Sequence, residues 1–304
     1  MTDYVLHADI AYAEPVGNAH LLDVYTPATG DGPFPVVMFH GGSAFRSDNT
    51  KRGSETAESG HVAAPDLARR WVPEGFTVVG FNVRSSGQAP FPAQIHDVKA
   101  AIRHLRANAA AYRLDPRRIA TMGTSSGGWV AAMAGVTTGV PELDGELGNP
   151  DQPSDVQAVV DLFGPTDFLQ MDGHRIEGGM VHDTPDSPES ALMGFPIQSD
   201  PAAVQKANPA SYVGTGSPPI FICHGMRDPL VPCHQSELLF TAYEKAGATA
   251  TLALVHAAGH TGAYLDADEE RTVLQTSGGA TTRGSSPAPT YETLLSFLRD
   301  TLGA

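Results

Sequence analysis

Cysteine is scarce in this chain: Cys223 and Cys233 are the only two among 304 residues. Two thiols cannot build a disulfide framework. At most one bridge could span the loop between them, and in a reducing compartment both stay free, so buried free thiols are expected. Basic residues are few as well, with 19 Lys and Arg against 34 Asp and Glu and a formal charge of −15. That balance argues against a nucleic-acid or anionic-membrane partner, because both require a positive footprint. Long apolar runs are missing too: no stretch approaches the roughly 20 residues of a membrane-spanning helix. Met1-Thr2-Asp3-Tyr4 has neither the positive flank nor the apolar run of a signal peptide. A cytoplasmic protein is therefore expected, although a chain whose signal had been removed would read the same. No internal repeat is visible.

What is present is an ordinary globular composition, 41% hydrophobic, enough for one large domain over residues 1–304 to bury a full core. Strand-like and helix-like runs alternate, the pattern of a mostly parallel α/β sheet covered by helices on both faces. Strands are expected at residues 21–25, 36–39, 77–83, 118–122, 156–162, 220–223 and 252–255, and helices at 64–72, 95–111, 126–136, 234–246 and 291–302. Ile95, Val98, Ile102 and Leu105 recur at helical spacing and mark one buried face. Leu114-Asp115-Pro116 reads as a break before the next strand. Two segments fall outside the alternation. Residues 166–218 are long and rich in proline, glycine, serine and methionine, and are expected to form a cap or lid insertion over a site. Residues 276–289 are small and polar and read as a flexible linker to the last helix.

The sharpest local signal is Gly123-Thr124-Ser125-Ser126-Gly127, set between the apolar run Ile119-Ala120-Thr121-Met122 and a helix-like segment. A serine flanked by small residues at a strand-to-helix turn is the pattern of a nucleophile elbow. Such a hydroxyl needs a histidine to take its proton and a carboxylate to hold that histidine in the right tautomer. Both follow in the chain. Asp228 sits in His224-Gly225-Met226-Arg227-Asp228-Pro229 after the strand-like 219–222, and His260 sits in Ala257-Ala258-Gly259-His260 after 251–255. Ser125, His260 and Asp228 are the expected catalytic residues. Asp161 and Asp167 are rival acids and His256 a rival base; Asp228 could also merely cap the turn before Pro229. Earlier, Pro35-Val36-Val37-Met38-Phe39 runs into His40-Gly41-Gly42-Ser43, where backbone N–H groups of Gly42 and Ser43, with that of Ser126, would form an oxyanion hole. Each such donor is worth about 3 kcal/mol in acyl transfer.

Together with Phe91-Pro92-Ala93-Gln94-Ile95-His96-Asp97-Val98-Lys99, Gly123-Thr124-Ser125-Ser126-Gly127-Gly128 and His224 through Val231-Pro232, these motifs resemble the esterase/lipase branch of the α/β-hydrolase superfamily, nearest the bacterial feruloyl and acetyl-xylan esterases. Pro141-Glu142-Leu143-Asp144-Gly145-Glu146-Leu147-Gly148-Asn149 extends the similarity, which covers roughly residues 18–262. The resemblance implies a serine carboxylic-ester hydrolase. This chain departs from it in carrying Ser126 where relatives often have alanine and Phe45 where tryptophan is expected. Acyl and alcohol groups are expected to meet Phe45, Trp129 and Tyr264, and a small or medium neutral ester is the expected substrate, given the charge. A thioesterase, lactonase, acyltransferase, cyclase or dehydratase on the same frame, or a non-catalytic small-molecule receptor, are the competing readings. No cofactor or metal is expected: His174, His182, Asp172, Glu177 and Asp183 match no zinc spacing, and Glu142, Asp144, Glu146 and Asp151 read as a charged surface loop. A homodimer is compatible with all of this.

Overall fold

A computed structural model describes residues 3–53 and 62–304. Among the described residues ten strands form one sheet in the order β1-β2-β4-β3-β5-β6-β7-β8-β9-β10. They are β1 (Tyr4–Val16), β2 (Ala19–Pro27), β3 (Phe34–His40), β4 (Thr77–Phe81), β5 (Leu114–Thr124), β6 (Ala158–Leu162), β7 (Ile220–Gly225), β8 (Ala250–Val255), β9 (Arg271–Ser277) and β10 (Ala280–Gly284). From β4 through β8 neighbouring strands run parallel, and antiparallel pairs extend the sheet at both edges. The longer helices are α1 (Ala64–Trp71), α2 (Ala93–Ala107), α3 (Ser126–Val136), α4 (His234–Ala246) and α5 (Tyr291–Leu302).

Period-two alternation divides the central strands between two cores. Val36 and Met38 of β3 face one cluster with Ile95, Val98 and Ile102 of α2, Trp129 of α3 and Leu239 of α4. Val37 and Phe39 face the other, with Leu67 and Trp71 of α1 and Leu294 and Leu298 of α5. Every residue of α3 is buried, as its continuous apolar character requires. The motif around residues 91–102 is explained by packing. Asp97 accepts hydrogen bonds from Arg84 N at 2.8 Å and His20 Nε2 at 3.1 Å, locking α2 to the loop after β4. Lys99 Nζ donates to Asp144 Oδ1 and to Thr137 O, both at 2.6 Å, so the acidic 142–151 stretch pairs half-buried Asp144 with a buried lysine.

Two expectations are corrected and one strand is added. Residues 276–289 are not a linker: β9 and β10 form a hairpin with Ser277 paired to Ala280. Gly278 (φ 58°) and Gly279 (φ 79°) supply the two left-handed positions that a two-residue hairpin turn demands. Nor does the chain break at Leu114-Asp115-Pro116, which begins β5; the break is one residue earlier, at Arg113 in a left-handed conformation. Finally, β1 was not expected. It is an edge strand with mostly exposed side chains and register shifts, so it lacks a clean alternation.

Register brings the carboxyl ends of the parallel strands level. His40 pairs with Gly123, Thr124 with Leu162, Leu162 with Cys223, and Gly225 with Val255. The loops that follow β3, β5, β7 and β8 therefore open on one edge of the sheet, where ligands of open α/β sheets bind.

Candidate active site

Ser125 is held at φ 54°, ψ −125°, between the end of β5 and the start of α3. A non-glycine residue in that region is strained and persists only where its surroundings fix it. Ser125 N–H donates to Leu162 O at 2.8 Å, and Ser125 O accepts from Trp129 N at 3.2 Å. The turn leaves no space beside it: a Cβ on Gly123 would lie 2.1 Å from Gly127 O, and one on Gly127 would lie 2.1 Å from His40 O. Glycine is thus required for the turn around Ser125 to pack on the β3 loop.

Asp228 is 1% exposed and fully hydrogen-bonded. Its Oδ1 accepts from Leu230 N (2.8 Å) and Val231 N (2.9 Å), and its Oδ2 from His260 Nδ1 (2.7 Å) and His224 Nε2 (3.2 Å). Burial opposes its charge, but the hydrogen bonds from His224 and His260 outweigh this and hold the carboxyl far below the usual range. An ionised Asp228 can only accept, so the His260 proton sits on Nδ1 and Nε2 is left as the basic nitrogen. The loops carrying the two residues are tied together by Arg227 N–H to Ala258 O and Met226 N–H to Val255 O. Phe163 packs edge-on against the His260 ring at 4.7 Å. Among the described residues no hydrogen bond joins Ser125 Oγ to His260; such bonds often tighten only when substrate is present.

The rival residues are occupied elsewhere. Asp161 is fully buried, with Oδ1 accepting from Gly164 N at 2.9 Å and burial pushing its carboxyl up to about 6. Asp167 caps a turn, accepting from Leu169 N and Gln170 Nε2. His256 lies at the end of β8 against Thr272 Oγ1. In the turn after β3, Gly42 N–H donates to Thr124 Oγ1 and Ser43 N–H to Ser126 Oγ, each at 2.9 Å. Phe45 packs edge-on against Trp129 at 5.3 Å. Trp129 is fully buried, with its indole N–H on Ala207 O at 2.7 Å, and Tyr264 is 3% exposed within the second core. His40 stacks on Phe81, and burial lowers its ring to about 4, so it supports the turn in its neutral form.

Residues 166–218 fold into short helical turns, among them Met171–His174, Pro188–Met193 and Pro209–Tyr212. His182, 1% exposed, ties this segment to the loop carrying Asp228: Nδ1 meets Glu189 Oε2 and Nε2 meets Leu230 O, both at 2.8 Å. His174 instead stacks on His234 at 3.4 Å. Among the described residues no group of three or more His, Cys, Asp or Glu could hold a metal ion. Both cysteines are free, with Cys223 buried in β7. The contacts that sequence reading missed are those of His224, Thr124, Phe163 and His182. Only for His224 was there a signal, its position four residues before Asp228, and nothing in the sequence says that its ring folds back onto the carboxylate.

The BD-FAE family model matches residues 22–243 of this chain. Esterase LipQ of Mycobacterium tuberculosis is 32% identical over 243 residues, 79% of this chain and 53% of that protein; the chain spans about half the length of the curated relatives it matches first. A solved structure described as a truncated form of carbohydrate esterase from gut microbiota is 31% identical, covers 100% of this chain and 98% of its own, and superposes with a TM-score of 0.79. A bifunctional GH43-CE of Bacteroides eggerthii is 32% identical with the same TM-score, over 98% of this chain and 35% of that one. The residues that meet at the carboxyl edge of the sheet thus sit in a chain that belongs to the BD-FAE family and has the α/β-hydrolase fold.

Proposed function

We propose that this protein is a serine carboxylic-ester hydrolase in which Ser125 is the nucleophile, His260 the general base and acid, and Asp228 the group that orients and stabilises the imidazolium. The observation that carries the reading is the 2.7 Å Asp228–His260 pair on the same sheet edge as a serine in a strained elbow. The esterases among its relatives support it. Ser125 Oγ attacks the ester carbonyl as its proton passes to His260 Nε2, the alcohol leaves with that proton, and water then repeats the sequence to free the acid. The backbone N–H of Ser126, at the first position of α3, faces the developing oxyanion. Residues 166–218 form the cap of a single-domain enzyme and select the ester, a small or medium neutral one, with Phe45 on the wall beside the site. The net charge of −15 disfavours anionic esters at long range. The enzyme works in the cytoplasm without a cofactor, as a monomer or a homodimer.

Hydrolysis of p-nitrophenyl esters from acetyl to long acyl and feruloyl, with Ser125→Ala as control, tests this. Turnover is expected in the wild type and a fall of several orders of magnitude in the variant. A folded wild type with no turnover, whose serine also resists a fluorophosphonate, would favour the receptor reading and reject the hydrolase.

A further inference from the structure

Two of the peptide N–H groups expected at an oxyanion are already engaged, Gly42 by Thr124 Oγ1 and Ser43 by Ser126 Oγ. The two accepting hydroxyls flank Ser125, so they pin the turn after β3 to the elbow from both sides. Ser126 differs from a simple strut in its proton. A serine hydroxyl offers one donor and two acceptor positions. Ser126 Oγ spends an acceptor position on Ser43 N–H, and among the described residues no group accepts its own proton. The residue is only 3% exposed, and a buried donor without an acceptor is costly. It lies next to the nucleophile, where an oxygen gains full negative charge during acyl transfer.

We propose that the Ser126 side-chain hydroxyl is itself an oxyanion donor, with Ser43 N–H acting through it. This rests on Ser125 being the nucleophile. As Ser125 Oγ bonds to the carbonyl carbon and its proton moves to His260 Nε2, the carbonyl π pair moves onto oxygen, which accepts from Ser126 N–H and Ser126 O–H. Ser43 N–H donates to Ser126 Oγ throughout and polarises its O–H, the cooperative strengthening of a hydrogen-bond chain. On collapse the pair returns to the carbonyl, the alkoxide leaves with the proton from His260, and Ser126 keeps its own proton.

Ser126→Ala removes the donor and leaves the backbone N–H. With p-nitrophenyl acetate, kcat should fall about 10²-fold with KM unchanged, because the interaction exists only in the transition state. A trifluoromethyl ketone that adds to Ser125 should weaken by the same factor, and Ser126→Thr, which retains the hydroxyl, should recover most of the activity. Thermal melting checks the fold; if the alanine variant does not fold, Ser126→Gly makes the same deletion. An unchanged or raised kcat in the deletion variant would mean that Ser43 N–H, once released, reaches the oxyanion directly, and would overturn the proposal. Fluorophosphonate labelling of Ser125 in each variant separates that result from failure of the hydrolase reading, in which the wild type would not label.

Discussion

Replacing Asp161 by asparagine should flatten the pH dependence of stability without abolishing turnover. Asp161 sits at the end of β6 beneath the elbow, where a Cβ on Gly128 would come within 2.1 Å of its Oδ1. It is 0% exposed, its Oδ1 accepts from Gly164 N, and among the described residues its Oδ2 has no partner. Burial, only partly offset by His224 and the Gly164 hydrogen bond, raises its carboxyl from 3.8 to about 6. The folded state thus holds this proton more tightly than the unfolded chain, so the contribution is intact below about pH 4 and is lost as pH rises through 6. A displacement of about two pH units at about 1.4 kcal/mol each amounts to about 3 kcal/mol, roughly half of it lost between pH 5 and 8. Asparagine keeps an oxygen for Gly164 N–H and has no charge to bury. Urea denaturation at pH 5 and pH 8 should therefore show the variant gaining about 1.5 kcal/mol on the wild type between the two. An identical pH slope in both proteins would refute the burial reasoning, and loss of turnover by orders of magnitude would make Asp161 the working carboxylate in place of Asp228.

Asp228→Asn should lower kcat by about 10⁴ with little change in KM, because the amide no longer fixes the His260 tautomer; steady-state kinetics measures it, and retained activity would exclude the pair. Gly127→Ala should destabilise the fold by more than about 2 kcal/mol, since the new methyl meets His40 O at 2.1 Å; a thermal melt matching the wild type would show that the turn can yield. Glu189→Gln should cost about 1.5 kcal/mol at pH 6 by replacing the charged partner of buried His182 with a neutral one. Burial works against protonated His182, but Glu189 outweighs it and raises the ring above 6.5. The wild-type contribution is therefore complete below about pH 6.5 and lost as pH rises through the raised value. Denaturation at pH 6 and pH 9 should show the gap between the two proteins closing at the higher pH.

The sequence by itself determined the local grammar. Val36 to Phe39 form a short continuous apolar run, Ile95, Val98, Ile102 and Leu105 keep helical spacing, and glycines flank Ser125. These are short-range steric and solvation constraints, which need no knowledge of distant residues. They placed seven of the ten strands and the five longer helices among the described residues. The edge elements escaped because β1 has mostly exposed side chains and β10 is exposed throughout, so burial imposes no pattern on them. Tertiary structure alone decided the rest. Asp228 and His260 are 32 positions apart, and their 2.7 Å contact exists because β7 and β8 pair in register. The Gly42 and Ser43 N–H groups close on hydroxyls more than eighty positions away, and Asp161, Asp167 and His256 meet Gly164 N–H, Leu169 N–H and Thr272 Oγ1 instead of each other. A sequence lists donors and acceptors. Which of them meet is fixed by the packing of the sheet, because a hydrogen bond acts over about 3 Å and no spacing along the chain encodes that distance.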